Sequence, residues 1–166
     1  MYEYLNTIQT PLMPIEKYHW QQMHEWPYTE IGKRLTTESV IDIKGGCGLL
    51  GIFLVYYNYC KNATLCGMHG DKLDYARALV DSLSLNHRVQ IDTSPYQPVK
   101  KHLRTTLVST RLLSLIEFED VIGNNQAITL RRTDEVEPYF IRDSKKIWKG
   151  EIIKRSDGFE LEVLTR

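Results

Sequence analysis

The chain carries no excess charge of either sign: 21 lysines and arginines stand against 21 aspartates and glutamates, a formal net charge of zero. No global field draws it to nucleic acid or to an anionic membrane, so any such contact has to be local. Long apolar runs are missing too, with none near the roughly 18 residues that span a bilayer. The N-terminal MYEYLNTIQTPLMPIEKYHW lacks the basic start and apolar core of an export signal. A soluble, cytoplasmic protein with no membrane partner is therefore the expectation. Cysteine is scarce. Cys47, Cys60 and Cys66 form an odd set without CxxC spacing, which argues against a disulfide framework or a zinc site and for reduced thiols in or near the core. His19 and His24 stand five apart, whereas an α-helix aligns residues three or four apart, so they predict no metal pair. Repeats, low-complexity tracts and linkers are absent, and 166 residues suit one domain with one core.

What is present is organised around Ser39 to Leu54, SVIDIKGGCGLLGIFL. Val40, Ile41 and Ile43 suit a buried strand. Gly45, Gly46 and Gly48 allow a tight turn and the close approach of a ligand, and Leu49, Leu50, Ile52 and Phe53 resume as a helix. A helix starting there points unpaired N–H groups at whatever fills the turn, which suits a cofactor with polar or anionic groups.

Before this unit, residues 1 to 14, with Pro11 and Pro14, read as an extended arm. Helices are predicted over roughly 15–25 and 28–35, with Pro27 breaking the run between them. The aromatic residues of that region, Tyr18, Trp20, Trp26 and Tyr28, have the spacing of core positions. After it come strands at Ala63 to Gly67 and Arg88 to Asp92, with a helix from Asp71 to Ser84 between them and Asp71 at its N-terminal end. Strand, helix, strand, helix, strand implies a parallel sheet with right-handed crossovers, whose ligands sit beyond the carboxyl ends of the strands. Further on, Thr105 to Ser109 and Ala127 to Arg131 suit strands and Leu112 to Val121 a helix, while 134–143 reads as a loop. Lys146 to Lys154 and Phe159 to Leu164 form a hairpin around Asp157-Gly158.

Taken together, VIDIKGGCGLLGIFL, ATLCGMHGDKLDYARALVDSL and RVQID, followed by a GFELEVL hairpin, resemble the class I S-adenosylmethionine-dependent methyltransferases. The resemblance covers residues 38–93 by motif and the remainder by order of elements. It implies an α/β fold: a Rossmann-like sheet, mostly parallel with a C-terminal antiparallel hairpin, and helices on both faces. On this reading residues 1–37 are an N-terminal arm and helices, and residues 38–166 are the S-adenosylmethionine-binding domain. In that family the first strand ends in an acid and runs into a glycine-rich turn beneath the methionine part of the cofactor. Asp42 matches the acid, and Gly46 and Gly48 match the second and third glycines, with Gly45 in the same turn. Lys44 stands where the first glycine is expected.

The family's second strand commonly ends in an acid that holds the ribose; here the matching residue is His69, with Asp71 two residues on. A neutral imidazole accepts one hydrogen bond where a carboxylate accepts several. Asp92 matches the position that receives the adenine amino group. Ser109 and Arg111 lie at the mouth where the family handles its acceptor, without an Asn-Pro-Pro-Tyr or Asp-Pro-Pro-Tyr motif, so the acceptor, small molecule or macromolecule, is not specified.

The implied function is methyl transfer by a small S-adenosylmethionine-binding protein. The alternative is a degenerate, non-catalytic binding or structural subunit of the same fold, working with a protein partner or as an oligomer. A third reading, a dinucleotide-binding oxidoreductase, rests on GCGLLG, whose Gly46, Gly48 and Gly51 have GxGxxG spacing. Lys72, Arg77, Arg88, Lys100, Lys101 and Arg104 are interspersed with acids and read as solvated surface, which argues against a nucleic-acid face.

Overall fold

The computed structural model describes residues 1–5, 7–8, 17–43, 46–94, 104–109, 126–132 and 149–166. Lys44, Gly45, Thr110, Arg111, the helix expected at 112–121, the loop at 134–143 and the start of the hairpin at 146–148 lie outside the described residues.

Seven strands form one sheet in the order β3-β2-β1-β4-β5-β7-β6. They are β1 (Ser39–Ile43), β2 (Asn62–Cys66), β3 (Val89–Asp92), β4 (Thr105–Ser109), β5 (Ala127–Arg132), β6 (Lys149–Lys154) and β7 (Glu160–Thr165). The first five pair in parallel, with Val40 opposite both Ala63 and Thr106 in the centre. β7 runs antiparallel between β5 and β6, closing the C-terminal hairpin onto the sheet. The mostly parallel sheet with its antiparallel hairpin is thus as the sequence predicts. β1 lies at the middle of the order, and its Val40 to Ile43 are all buried, as a two-sided strand requires. β6 is an edge strand, and its lysines and glutamate leave it exposed along most of its length, a composition that discourages pairing with another sheet.

Two helices fill the crossovers of the first half. Every residue of α4 (Leu49–Tyr56) from Leu49 to Val55 is buried. A helix apolar all round needs cover on both sides. It packs on β1 to β4 with one side and on α3 (Trp26–Gly32) with the other. The helix α5 (Asp71–Ser82) is amphipathic: Tyr75, Ala76, Leu79 and Val80 are buried, and Asp71 and Asp74 in its first turn complement the helix dipole.

The N-terminal segment departs from expectation in two ways. Residues 2–5 are a short helix, α1 (Tyr2–Leu5), rather than extended chain, and Met1 and Leu5 are buried in the core, with α1 against α5. Pro27 does not break the following helix. The chain runs from α2 (Lys17–Trp20) through a π-helical turn at Gln21–Glu25 directly into α3, with Pro27 in the first turn of α3. The Trp26 N–H bonds back to the Gln21 carbonyl, five residues earlier. A proline lacks the N–H for an α-helical bond and its ring crowds the carbonyl four residues back; the widened turn absorbs both defects while the axis continues. Among the described residues no helix is long and apolar enough to cross a membrane.

Candidate functional site

Parallel sheets gather their loops at the carboxyl ends of the strands. In this chain the ends of β1, β2 and β3 lie along one edge. From β1 the chain passes through a turn at Gly46 to Gly48 into α4. Gly46 and Gly48 hold φ of +66° and +69°, in the left-handed region that side chains other than glycine rarely adopt. Their surroundings differ. Among the described residues a Cβ on Gly46 would meet nothing within 4 Å, whereas one on Gly48 would lie 2.7 Å from Leu65 Cδ1 and 3.3 Å from Met68 Sδ. Gly51, one turn further, is needed for packing: a Cβ there would run into Leu65 Cδ2 and lie 3.2 Å from Asp42 Cβ. One glycine is therefore free of packing contacts among the described residues, and two let α4 settle against β1 and β2.

Asp42 is the buried acid of this edge, 1% exposed. Its Oδ2 accepts the Gly51 N–H at 2.9 Å, one of the unpaired donors at the start of α4. Its Oδ1 is buried and has no hydrogen-bond partner among the described residues. Burial pushes the carboxyl up to about 6, against the lowering effect of the Gly51 N–H. A carboxylate with one satisfied and one unsatisfied oxygen beside a glycine turn suits a ligand that brings a hydrogen-bond donor or a positive charge.

The end of β2 turns at Gly67 and Gly70, again with positive φ, and a Cβ added to either would meet nothing within 4 Å among the described residues. Met68 is buried between them, and His69 and Asp71 are exposed. The Gly67 N–H is shared by the carbonyls of Asp92 and Ser94, both at 3.1 Å, which ties the ends of β2 and β3 together. Asp92 is half-buried, and its Oδ1 accepts the Ser94 N–H at 2.8 Å; the second carboxylate oxygen remains for another donor. Ser109, at the end of β4, is fully buried rather than at an open mouth. Asp42, Gly46, Gly48, His69, Asp71 and Asp92 thus come to one edge of the sheet, while Gly45 and Arg111 lie outside the described residues.

The helix α3 packs on α4, and ahead of its N-terminal end residue spacing misleads. The π turn brings His19 and His24 together, ring centroids 6.4 Å apart, although residues five apart do not share an α-helical face. His24 stacks on Trp20 at 5.3 Å, and its Nδ1 lies 2.9 Å from Tyr28 Oη. Burial, with the neighbouring His19 charge, holds His24 down at about 4, so the ring is neutral near pH 7. Tyr28 is fully enclosed; burial first, then the charges of Asp42 and Cys47, raise its phenol well above the usual range. Trp20 and Tyr28 are core, as their spacing predicts, and pack on Phe53 of α4, whereas Trp26 is half-buried and Tyr18 is 71% exposed, against that expectation. The sequence signal for the His24–Tyr28 pair is its i, i+4 spacing. Among the described residues no group of three or more His, Cys, Asp or Glu is arranged to hold a metal ion.

No protein-family model and no curated protein matches the sequence. Solved structures do match. TrmK of M. capricolum, in complex with S-adenosyl-homocysteine, superposes with a TM-score of 0.62 at 17% identity, over 85% of this chain and 67% of that one. Sp1610 of Streptococcus pneumoniae, in complex with S-adenosyl-L-methionine, gives 0.59 at 15% identity, over 84% and 71%. The M1A22 tRNA methyltransferase TrmK of B. subtilis gives 0.58 at 12%, over 84% and 64%. The chain spans about two thirds of the length of these structures. It has the Rossmann-like fold of class I S-adenosylmethionine-dependent methyltransferases. The oxidoreductase reading of GCGLLG fails on topology, because a dinucleotide-binding sheet has the order 3-2-1-4-5-6 with no antiparallel β7 inserted beside β5.

Proposed function

We propose that this protein binds S-adenosylmethionine at the carboxyl edge of β1 to β3 and transfers its methyl group to an acceptor. The observation that carries this reading is the pairing of an open glycine turn with the buried, half-satisfied carboxylate of Asp42. The residues present fit the cofactor: backbone without a Cβ at Gly46 makes room for its methionine part, and the uncommitted Oδ1 of Asp42 is a buried acceptor for a donor or cation. Asp92 has a carboxylate oxygen left for the adenine amino group, and His69 with Asp71 offers exposed acceptors for the ribose hydroxyls. Gly45 belongs to the same proposed turn and Arg111 to the proposed acceptor side, whereas the burial of Ser109 removes it from that side.

The cofactor supplies an already activated methyl group on a sulfonium, so the chain needs no covalent catalyst; its work is to hold donor and acceptor in line. Asp42 does this indirectly, by fixing the start of α4 and with it the turn.

The acceptor is assigned to one of two classes, a small molecule or an RNA, the second because the similar B. subtilis protein is a tRNA methyltransferase. Isothermal titration with S-adenosylmethionine, S-adenosylhomocysteine and NAD tests the cofactor. Saturable heat is expected from the first two only, and none at millimolar concentration would favour the non-catalytic reading. Methyl-labelled cofactor incubated with total RNA and, separately, with a small-molecule extract then separates the acceptor classes.

A further inference from the structure

At the opposite, amino-terminal edge of the sheet lies a cavity of about 470 Å³, within the range of small-molecule sites. Ligands of open α/β sheets bind beyond the carboxyl ends, so nothing in the proposed methyl-transfer site accounts for it. Its walls are the segment following α3, the first residues of β4 and β5, and the β6–β7 hairpin. Among the described residues, the charged side chains that line it are the cations Lys33, Arg34 and Arg166 and the carboxylate of Glu151.

These cations are not equivalent. Arg34 is committed: its Nη1 donates to the Glu30 carbonyl at 2.7 Å and to Glu30 Oε2 at 2.9 Å, and its Nε and Nη2 reach Glu151 Oε2 at 2.8 and 2.7 Å. Lys33 Nζ gives one bond, 2.7 Å, to Glu30 Oε1 and keeps two N–H donors. Arg166 is half-buried, and its guanidinium makes no ion pair or side-chain hydrogen bond among the described residues; only its backbone N–H is engaged, by the Ala127 carbonyl at 3.1 Å. The Glu151 carboxylate is taken by Arg34, while Lys33 and Arg166 keep unused charged donors. Apolar wall comes from Leu35 and Ile128.

We propose that this cavity binds a small organic anion, its carboxylate or phosphate on Arg166 and Lys33 and its apolar body against Leu35 and Ile128. Arg34, pinned by Glu30 and Glu151, holds one part of this wall in place, and Lys33, on the same Glu30, keeps spare donors.

The test is an NMR titration of the whole chain with benzoate, phenyl phosphate and, as the charge-reversed control, benzylamine. At least one anion should move the amides of Gln126, Ala127 and Arg166 saturably, with a Kd near or below about 1 mM. Benzylamine should leave them in place. Losing the charge-assisted bond in Arg166→Gln should weaken anion binding about tenfold. Lys33→Gln, at an exposed side chain, should weaken it less. Saturation by S-adenosylhomocysteine should leave the anion's affinity unchanged and shift the amides of Gly46 and Gly48 instead. No saturable shift with either anion, equal shifts with benzylamine, or undiminished binding by both variants would overturn the proposal, whatever the outcome with the cofactor.

Discussion

The Asp42 carboxylate and the Gly51 N–H meet at 2.9 Å across the junction of β1 and α4, and a Cβ on Gly51 would lie 3.2 Å from Asp42 Cβ. The bond and the close approach need each other: a larger residue at 51 would push the helix away from its buried acceptor. Gly51→Ala is expected to destabilise the fold by about 1–3 kcal/mol, the range for overpacking a filled core. The midpoint of urea denaturation measures it, and an unchanged midpoint would show that α4 moves away at no cost.

Gly46→Ala separates fold from ligand. Its φ of +66° costs roughly 1–2 kcal/mol for an L residue, but among the described residues no neighbour lies within 4 Å of the new methyl group. If the cofactor's methionine part uses that space, affinity for S-adenosylhomocysteine falls by at least about tenfold, or about 1.4 kcal/mol. Titration calorimetry on the folded variant checks this, and wild-type affinity would remove Gly46 from the site.

Asp42 and His24 make opposite contributions to acid stability. The Asp42 carboxyl is raised from 3.8 to about 6 by burial, so the native state binds its proton more tightly than the unfolded chain does. Its contribution is fully present below about pH 4 and is lost as pH rises through about 6, a change of roughly 3 kcal/mol at about 1.36 kcal/mol per pKa unit. His24 is lowered from 6.5 to about 4, chiefly by burial, so its contribution is present above about pH 6.5 and lost as pH falls through about 4. Over this window the two slopes oppose each other. Asp42→Asn should therefore uncover a fall in stability on acidification from about pH 6.5 to about pH 4, and His24→Gln a rise. Thermal unfolding across that range reads both; parallel profiles for the two variants would refute the assignment.

The central motif is legible in the sequence because its requirements are local. A strand that must be buried on both sides, glycines at left-handed positions and an apolar helix leave their mark in adjacent residues such as Val40, Gly48 and Leu50. The same motif points to Asp42, but its role as acceptor for Gly51 depends on how closely the helix lies, which no residue spacing gives. The helix around Pro27 escapes sequence reasoning because a proline signals a break only when the preceding turn is α-helical. The π turn at Gln21–Glu25 removes the conflict, and with it the spacing rule that would keep His19 and His24 apart. Ser109 has the position of an open mouth in the chain order, yet it is buried at the end of β4, a property of the assembled sheet. The amino-edge cavity leaves no sequence signal, since its walls come from distant segments.

At the second turn, His69 and Asp71 are both exposed at the end of β2. An ionised carboxylate accepts two hydroxyl bonds at once where a neutral imidazole accepts one. Asp71→Asn is thus expected to weaken S-adenosylhomocysteine binding more than His69→Ala does, by about 1 kcal/mol against a few tenths. Calorimetric titration of the two variants decides it, and the reverse order would give the ribose to His69.

Glu30 joins the end of α3 to the hairpin. Its side chain is 8% exposed and holds Lys33 and Arg34, and Arg34 carries the link on to Glu151 of β6. The two acids at the ends of this chain of contacts differ in surroundings: Glu151 is 63% exposed, so water replaces it readily. Burial alone would raise the Glu30 carboxyl, yet the bonds from Lys33 and Arg34 together hold it below the usual range, which marks them as net favourable to its charge. Glu151→Gln should cost well under about 1 kcal/mol, as exposed pairs do. Glu30→Gln leaves a half-buried arginine short of its fixed acceptor and should cost about 1–3 kcal/mol. Because Arg34 belongs to both pairs, the double variant should cost less than the two single losses together. Urea unfolding of the three variants tests the coupling: strict additivity would mean that Arg34 does not transmit the contact, and that the hairpin is held to α3 by Trp26, Arg155 and Phe159 at its other end.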